Sequence, residues 1–291
     1  MGVVYRRGGR EHFVRCRREI LLAAGAVQSP QLLQLSGIGP AAVLQRFGIP
    51  VVHDLPGVGE NLQDHLQVRL IYECTRPITT NDALRSLWGR LKIGLQWLLW
   101  RSGPLAVGIN QGGCFMRALP EAERPDIQFH VATLSADAAG GEVHRFSGFT
   151  LSICQLRPES RGRVALASPD PLLPPSIQPN YLATELDCRT VVAGMRAARA
   201  IVDSAAMRPL VRREVRPGPD AKDAAALLAF ARDHGQTIFH PVGTCKMGSD
   251  AAAVVDARLR VHGVTGLRVV DCSVMPTLVS GNTNAPAVMI A

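Results

Sequence analysis

What is missing from this sequence closes several classes of function. Lysine is nearly absent: of 32 basic side chains only Lys92, Lys222 and Lys246 are lysines. The net charge of +8 therefore rests on arginines scattered along the chain, with one dense group at Arg15, Arg17 and Arg18. Nucleic-acid binding needs charge clustered on one face or helix, so no nucleic-acid partner is expected, and the charge reads as a basic solvated surface. Paired cysteines are missing too. Seven are spread from Cys16 to Cys272 with no CxxC pair, which argues against a disulfide framework and points to a reducing, cytoplasmic compartment. His234, His240 and Cys245 lie close in sequence, but their spacing fits no zinc pattern, so no metal is expected. No apolar run reaches the roughly 18 residues of a membrane span; Leu84–Leu99 is broken by Arg85, Arg90 and Lys92. Arg6, Arg7, Arg10 and Glu11 stand where a signal peptide would need its apolar stretch, so none is expected. Internal repeats and low-complexity tracts are absent as well.

What remains is an ordinary globular composition, 47% hydrophobic over 291 residues, enough for two domains or one large α/β unit. Gly2 to Tyr5 and Glu11 to Arg15 alternate around Arg6-Arg7-Gly8-Gly9, a β-hairpin pattern. Glu19 to Ala23 reads as a short buried strand. The small residues Ala24-Gly25-Ala26 that follow let another backbone or a flat ligand approach closely. Ser29-Pro30 reads as the start of a helix over Gln31–Leu35, and Pro40 opens a second that Gly48 ends. Leu55 to His65 is a glycine-punctuated polar loop in which Asn61, Asp64 and His65 receive no assigned role.

Beyond it the texture changes. Strands are predicted at Val68–Tyr72, Ile127–Val131, Phe149–Gln155 and Arg163–Ala167, and helices at Glu185–Val202 and Ala221–Asp233. A helix over Asn81–Trp100 would turn Leu84, Leu87, Trp88, Leu91, Leu95 and Leu98 to the core, with Ile93, Trp97 and Trp100 on a second stripe. Alternating strands with segregated helices imply an antiparallel sheet with one covered face. The expected fold is thus α/β with an α+β second domain: residues 1–66 and 237–291 form the first domain and 67–236 the inserted second.

The last fifty residues organise the rest. Thr237 to Gly248 place His240 on a Gly/Pro-rich loop, Gly266 to Val270 form an apolar strand ending at Asp271, and Ser280 to Pro286 make an Asn-rich turn into a helix starting at Pro286. Asp271 sits at the carboxyl end of its strand, where open α/β sheets bind ligands; its competing role is to cap the next turn.

Gly25-Ala26-Val27-Gln28-Ser29-Pro30-Gln31-Leu32-Leu33-Gln34-Leu35-Ser36-Gly37-Ile38-Gly39 closely resembles a signature of the glucose–methanol–choline (GMC) flavin oxidoreductases. The stretches Gly48–His65, His240–Met247 and Leu267–Ala287 resemble the same family in the same order, and Asn282 to Pro286 resembles its choline dehydrogenase-like branch. The resemblance implies FAD as cofactor and an incomplete Rossmann-like FAD-binding domain, because the family's opening GxGxxG turn is absent from this sequence. The chain is accordingly read as the C-terminal part of a longer protein.

The implied reaction is oxidation of a primary alcohol, choline or another, to the aldehyde, with hydride passing to the flavin and electrons on to a quinone or similar acceptor or, in the oxidase alternative that the sequence leaves open, to oxygen. The resemblance makes His240 the base and Asn282 the group that holds the substrate oxygen. It places Ala24, Gly25, Asp271, Cys272, Asn282 and Thr283 against the FAD. An imidazole titrates near neutral pH, as a base needs, and an amide can donate to a developing alkoxide. A cytoplasmic protein is the expected setting; the stripe of Ile93, Trp97 and Trp100 is expected to pack on a neighbouring domain segment, with peripheral contact to the inner membrane or to a partner as the alternative. The rival expectation is an inactive fragment kept as a structural or interaction module, and the chain alone is expected to bind FAD weakly or not at all, to turn over no alcohol and to aggregate.

Overall fold

The computed structural model describes residues 2–138 and 140–291. In chain order the first elements are β1 (Gly2–Arg7), β2 (Arg10–Arg15), β3 (Ile20–Leu22), α1 (Gly25–Leu35), β4 (Ile38–Gly39), α2 (Ala41–Arg46) and β5 (His53–Asp54). Then come β6 (Leu66–Cys74), α3 (Thr80–Leu84), α4 (Leu87–Trp100), β7 (Asn110–Met116), β8 (Ile127–Ala132) and β9 (Gly148–Gln155). The rest are β10 (Arg163–Ala165), β11 (Ser176–Gln178), α5 (Glu185–Val202), β12 (Val211–Arg216), α6 (Ala224–His234), β13 (Gln236–Thr237), β14 (Leu267–Val269) and α7 (Asn284–Ile290). The chain divides into two compact units: Met1–Asp64, Pro158–Ala183 and Phe239–Ala291 form unit 1, and His65–Arg157 with Thr184–Ile238 form unit 2. Residues 158–183, grouped by sequence pattern with 67–236, fall in unit 1, where Val164 N donates to Gly59 O at 2.7 Å and Gly162 N to Leu62 O at 2.8 Å.

Unit 2 is built on a six-stranded antiparallel sheet ordered β12-β6-β9-β8-β7, with β13 also pairing β6. All eight positions of β9 are buried, so both of its faces are covered, not the one face expected. α5 packs on β9. Its Gly194 permits the approach: a Cβ there would stand 2.9 Å from Ile127 Cδ1 and 3.2 Å from Ile153 Cδ1. The helix starts where the sequence pattern put it because Thr184 Oγ1 accepts from Asp187 N.

The predicted helix over 81–100 is two helices, broken at Arg85–Ser86, where the Ser86 side chain caps α4 by accepting from Gly89 N. The expected core-facing stripe is mostly not buried, and of the second stripe Trp97 and Trp100 are exposed as well. Ile93 is the buried residue of α4, whereas Leu87, Trp88, Leu91, Leu95, Leu98 and Trp100 are exposed. The helix is apolar nearly all round, so periodicity could not choose a face.

Unit 1 holds the hairpin β1–β2, the parallel pair β3–β14, and the short pairs β4–β5 and β10–β11. Its core, including Leu33, Ile38, Leu55, Val58, Cys245, Val254, Val255, Val261, Val269 and Val274, is drawn mostly from loops and α1. β3 is not the buried strand expected, since Leu21 is 60% exposed. α1 begins at Gly25, four residues before the Ser29 cap read from the sequence, and Pro30 lies inside it. A proline there cannot donate to the carbonyl four residues back. Thr244 Oγ1 donates to that Ala26 oxygen instead, at 2.6 Å.

Candidate active site

Two short segments of unit 1 zip together to carry His240. Gln63 N donates to Val242 O at 3.0 Å and Val242 N to Gln63 O at 2.8 Å. Asn61 Nδ2 donates to Gly243 O at 3.2 Å. Gly243 has φ +92°, and a Cβ there would lie 2.5 Å from Asn61 O, so only glycine lets the strands close this tightly. The buried Gln63 side chain spans outward: Nε2 donates to Pro276 O at 3.1 Å and Oε1 accepts from Leu278 N at 3.1 Å. The His240 loop, the 61–64 segment and the 276–278 turn are thus one hydrogen-bonded body.

Within it, His240 N donates to Asp64 Oδ1 at 2.9 Å, and Tyr181 OH donates to Asp64 Oδ2. Asn282 Nδ2 lies 3.4 Å from His240 Nε2. In the neutral ring with its proton on Nδ1, Nε2 accepts from that amide. Burial pushes the His240 pKa below its ordinary value, and the Asp64 carboxylate pulls it partly back. The imidazole is therefore neutral at pH 7, with a lone pair beside an amide donor: a proton acceptor next to a group that can hold an oxygen.

The structure also brings Ala24, Gly25 and Asp271 together, at the carboxyl ends of β3 and β14. Asp271 Oδ2 accepts from Gly25 N at 3.0 Å and from Ser29 Oγ at 2.5 Å, and Ala24 N donates to Ser29 Oγ at 3.0 Å. Asp271 Oδ1 accepts from Ser273 N at 2.8 Å, capping the Cys272–Val274 turn. Both carboxylate oxygens are thus engaged within the chain, at a helix N-terminus where negative charge is favourable. Cys272 Sγ lies 4.0 Å from Thr283 O. Burial, then the Asp271 charge, push its thiol pKa up, so it stays protonated. Thr283 is buried and immediately precedes α7, which starts at Asn284, two residues before the expected Pro286.

Sequence reasoning left Asp64 without a role and misread Ser29 as a cap. It did not single out Gln63, Thr244 or Tyr181. The one local signal was the mostly polar segment Asn61 to His65 at the end of the glycine-punctuated loop, four of whose five residues, Leu62 to His65, are buried.

Comparison with known proteins places the chain in a family. The family description "GMC oxidoreductase" matches twice, at residues 1–67 and at 158–291. An oxygen-dependent choline dehydrogenase of Pseudomonas fluorescens is 45% identical over 293 aligned positions, covering 100% of this chain and 52% of that protein. The chain spans about half the length of the curated relatives it matches. Among solved structures, a formate oxidase of Aspergillus oryzae RIB40 superposes with a TM-score of 0.93 at 27% identity, over 99% of this chain and 55% of that one. A pyridoxine 4-oxidase from Mesorbium loti superposes with a TM-score of 0.81 at 31% identity, over 99% and 52%.

Proposed function

The chain belongs to the GMC oxidoreductase family, and on that premise we propose that it carries the alcohol-oxidising half-site of an FAD enzyme acting on choline or another primary alcohol. The observation that carries the reading is the 3.4 Å approach of Asn282 Nδ2 to His240 Nε2. It sets a neutral base and an amide donor where one hydroxyl group can meet both. The residues present fit the cofactor. At Gly25 and at Gly281 nothing lies within 4 Å of where a Cβ would stand, leaving open backbone beside Ala24, Asp271 and Asn282. Ala24, Gly25, Asp271, Cys272, Asn282 and Thr283 would hold the FAD. When bound, it supplies the hydride-accepting chemistry.

The chain's own residues handle the proton and the oxygen. His240 Nε2 takes the hydroxyl proton, and the lowered pKa of the half-buried ring keeps it unprotonated and ready to do so at neutral pH. Asn282 Nδ2 donates to the substrate oxygen as negative charge develops there. In the full-length enzyme, His240→Ala is expected to lower kcat about 10²–10⁴-fold, the usual worth of a general base. A variant with near-normal kcat across the neutral range would remove the assignment. Electrons are proposed to leave to a quinone or similar acceptor, and equal turnover with and without oxygen when a dye acceptor is present would support this over an oxidase.

No helix among the described residues is long and apolar enough to cross a membrane. The exposed apolar face of α4, flanked by Arg90 and Arg101, supports peripheral contact with a bilayer surface. Trp97→Ser/Trp100→Ser is expected to reduce co-sedimentation with anionic liposomes, and equal pelleting of variant and wild type would discard the contact.

A further inference from the structure

We propose that Asp64 is the positioning residue for His240, fixing the backbone of its loop through one carboxylate oxygen and setting a carboxylate beside the residue that carries the imidazole. Three observations converge on it. Asp64 is 7% exposed, and a buried carboxylate persists only where donors compensate its lost hydration. Its donors are His240 N–H on one oxygen and Tyr181 OH on the other. Next, Phe239 has φ +62°, a left-handed conformation that is unfavourable for a bulky residue and persists only where its surroundings over-determine it. Phe239 is 76% exposed, so packing of its side chain contributes little. The restraint comes from the backbone on the next residues, namely His240 N on Asp64 and Val242 paired with Gln63. The strained residue thus aims the imidazole, and Asp64 closes the clamp directly beside it.

The third observation is electrostatic. The groups facing His240 come from three segments. Asn282, from the 281–283 turn, is a neutral amide. The loop also joins the 272–274 turn through Gly243 N to Cys272 O at 3.3 Å, and the Cys272 thiol there is held protonated. Asp64, from the 61–64 segment, carries a negative charge, and it opposes the effect of burial on the ring. Without that charge, burial alone would weaken the base further.

This inference rests on the reading of His240 as the base, and the test separates the two. Asp64→Asn keeps the shape and an acceptor for His240 N–H but removes the charge; Asp64→Ala removes both. In the flavin-loaded full-length enzyme, Asp64→Ala is expected to lower kcat about 10–100-fold, the usual consequence of a reacting group displaced by an ångström or less. Asp64→Asn is expected to recover most of that loss. Its His240 titration midpoint, followed by NMR of the labelled imidazole, is expected to move to lower pH, and the acid limb of kcat/KM to move with it. Tyr181→Phe keeps the charge and is expected to leave the midpoint nearer the wild-type value than Asp64→Asn does. Equal kcat losses in Asp64→Asn and Asp64→Ala, with an unmoved His240 midpoint, would overturn the proposal. If Asp64→Ala fails to fold, the midpoint in Asp64→Asn decides alone. Retained activity in His240→Ala would instead defeat the base assignment, while the NMR midpoint still reports on whether Asp64 governs the ring.

Discussion

The sheet of unit 2 and the core of unit 1 bury apolar side chains by different means. In unit 2 the strands supply the backbone pairing themselves, and β9, buried at all eight positions, needs nothing further from side chains to satisfy its ladder. In unit 1 the strands outside the exposed hairpin β1–β2 are two or three residues long. β3 and β14 form a parallel pair of three residues each, with Leu21 60% exposed, although parallel strands are normally covered on both faces. Its core is lined by loops, and loops carry unpaired N–H and C=O groups inward that must find partners. Buried amides provide them. Gln34, 1% exposed, donates to Val58 O and Val164 O and accepts from Leu166 N at 2.9 Å. Gln63 does the same for Asn61 O, Pro276 O and Leu278 N. Unit 2 is therefore specified chiefly by apolar volume and unit 1 by particular polar side chains.

The sharpest way to break this contrast is to replace a buried amide by an apolar side chain of similar length. Gln34→Met orphans two carbonyls and an N–H, each costing about 1–3 kcal/mol when buried and unpaired. A stability loss on the order of 3 kcal/mol in urea unfolding is therefore expected. A loss below about 1 kcal/mol would mean that water or relaxation replaces the amide and that the loops do not depend on it. A smaller effect is expected at the join between Pro30 and Thr244. Thr244→Val should cost about 1–2 kcal/mol by stranding Ala26 O. Combined with Pro30→Ala, which restores an N–H four residues beyond Ala26, the same change should cost markedly less. Strict additivity in that double-mutant cycle would show that the two residues are not linked through the Ala26 carbonyl. The smallest effect belongs to unit 2, where the volume-conserving Leu70→Met, at a position with no exposed surface, should stay under about 1.5 kcal/mol.

The same division decides what could be read before the structure. α5, β8 and β9 lie within one or two residues of their predicted spans, because a cap at Thr184 or a run of β-branched and aromatic residues is a local signal. β7 (NQGGCFM) and β12 (VRREVR) were not legible. One is interrupted by glycines and exposed at most positions, and the other is charged, so neither alternates, and both exist because of their neighbours. α4 was legible as a helix but not in its facing. The start of α1 was hidden because Gly25 N is held by Asp271, 246 residues away, while Ser29-Pro30 mimics a start locally. At the site, residue type and family resemblance pointed to His240 and Asn282, which the fold sets side by side. Asp64 was invisible as a partner of His240, since 176 residues separate them and a lone buried carboxylate announces nothing by itself.

Cys245 in unit 1 and Cys154 in unit 2 have no accessible surface. A thiol reacts through its thiolate and only where a reagent can reach it, and burial pushes the Cys245 pKa far up. Each sulfur is therefore silent until the core around it opens. One molecule thus carries two independent clocks: the rate at which each thiol becomes reactive reports how often its own unit breathes, and the polar-tied core and the sheet core can be timed side by side.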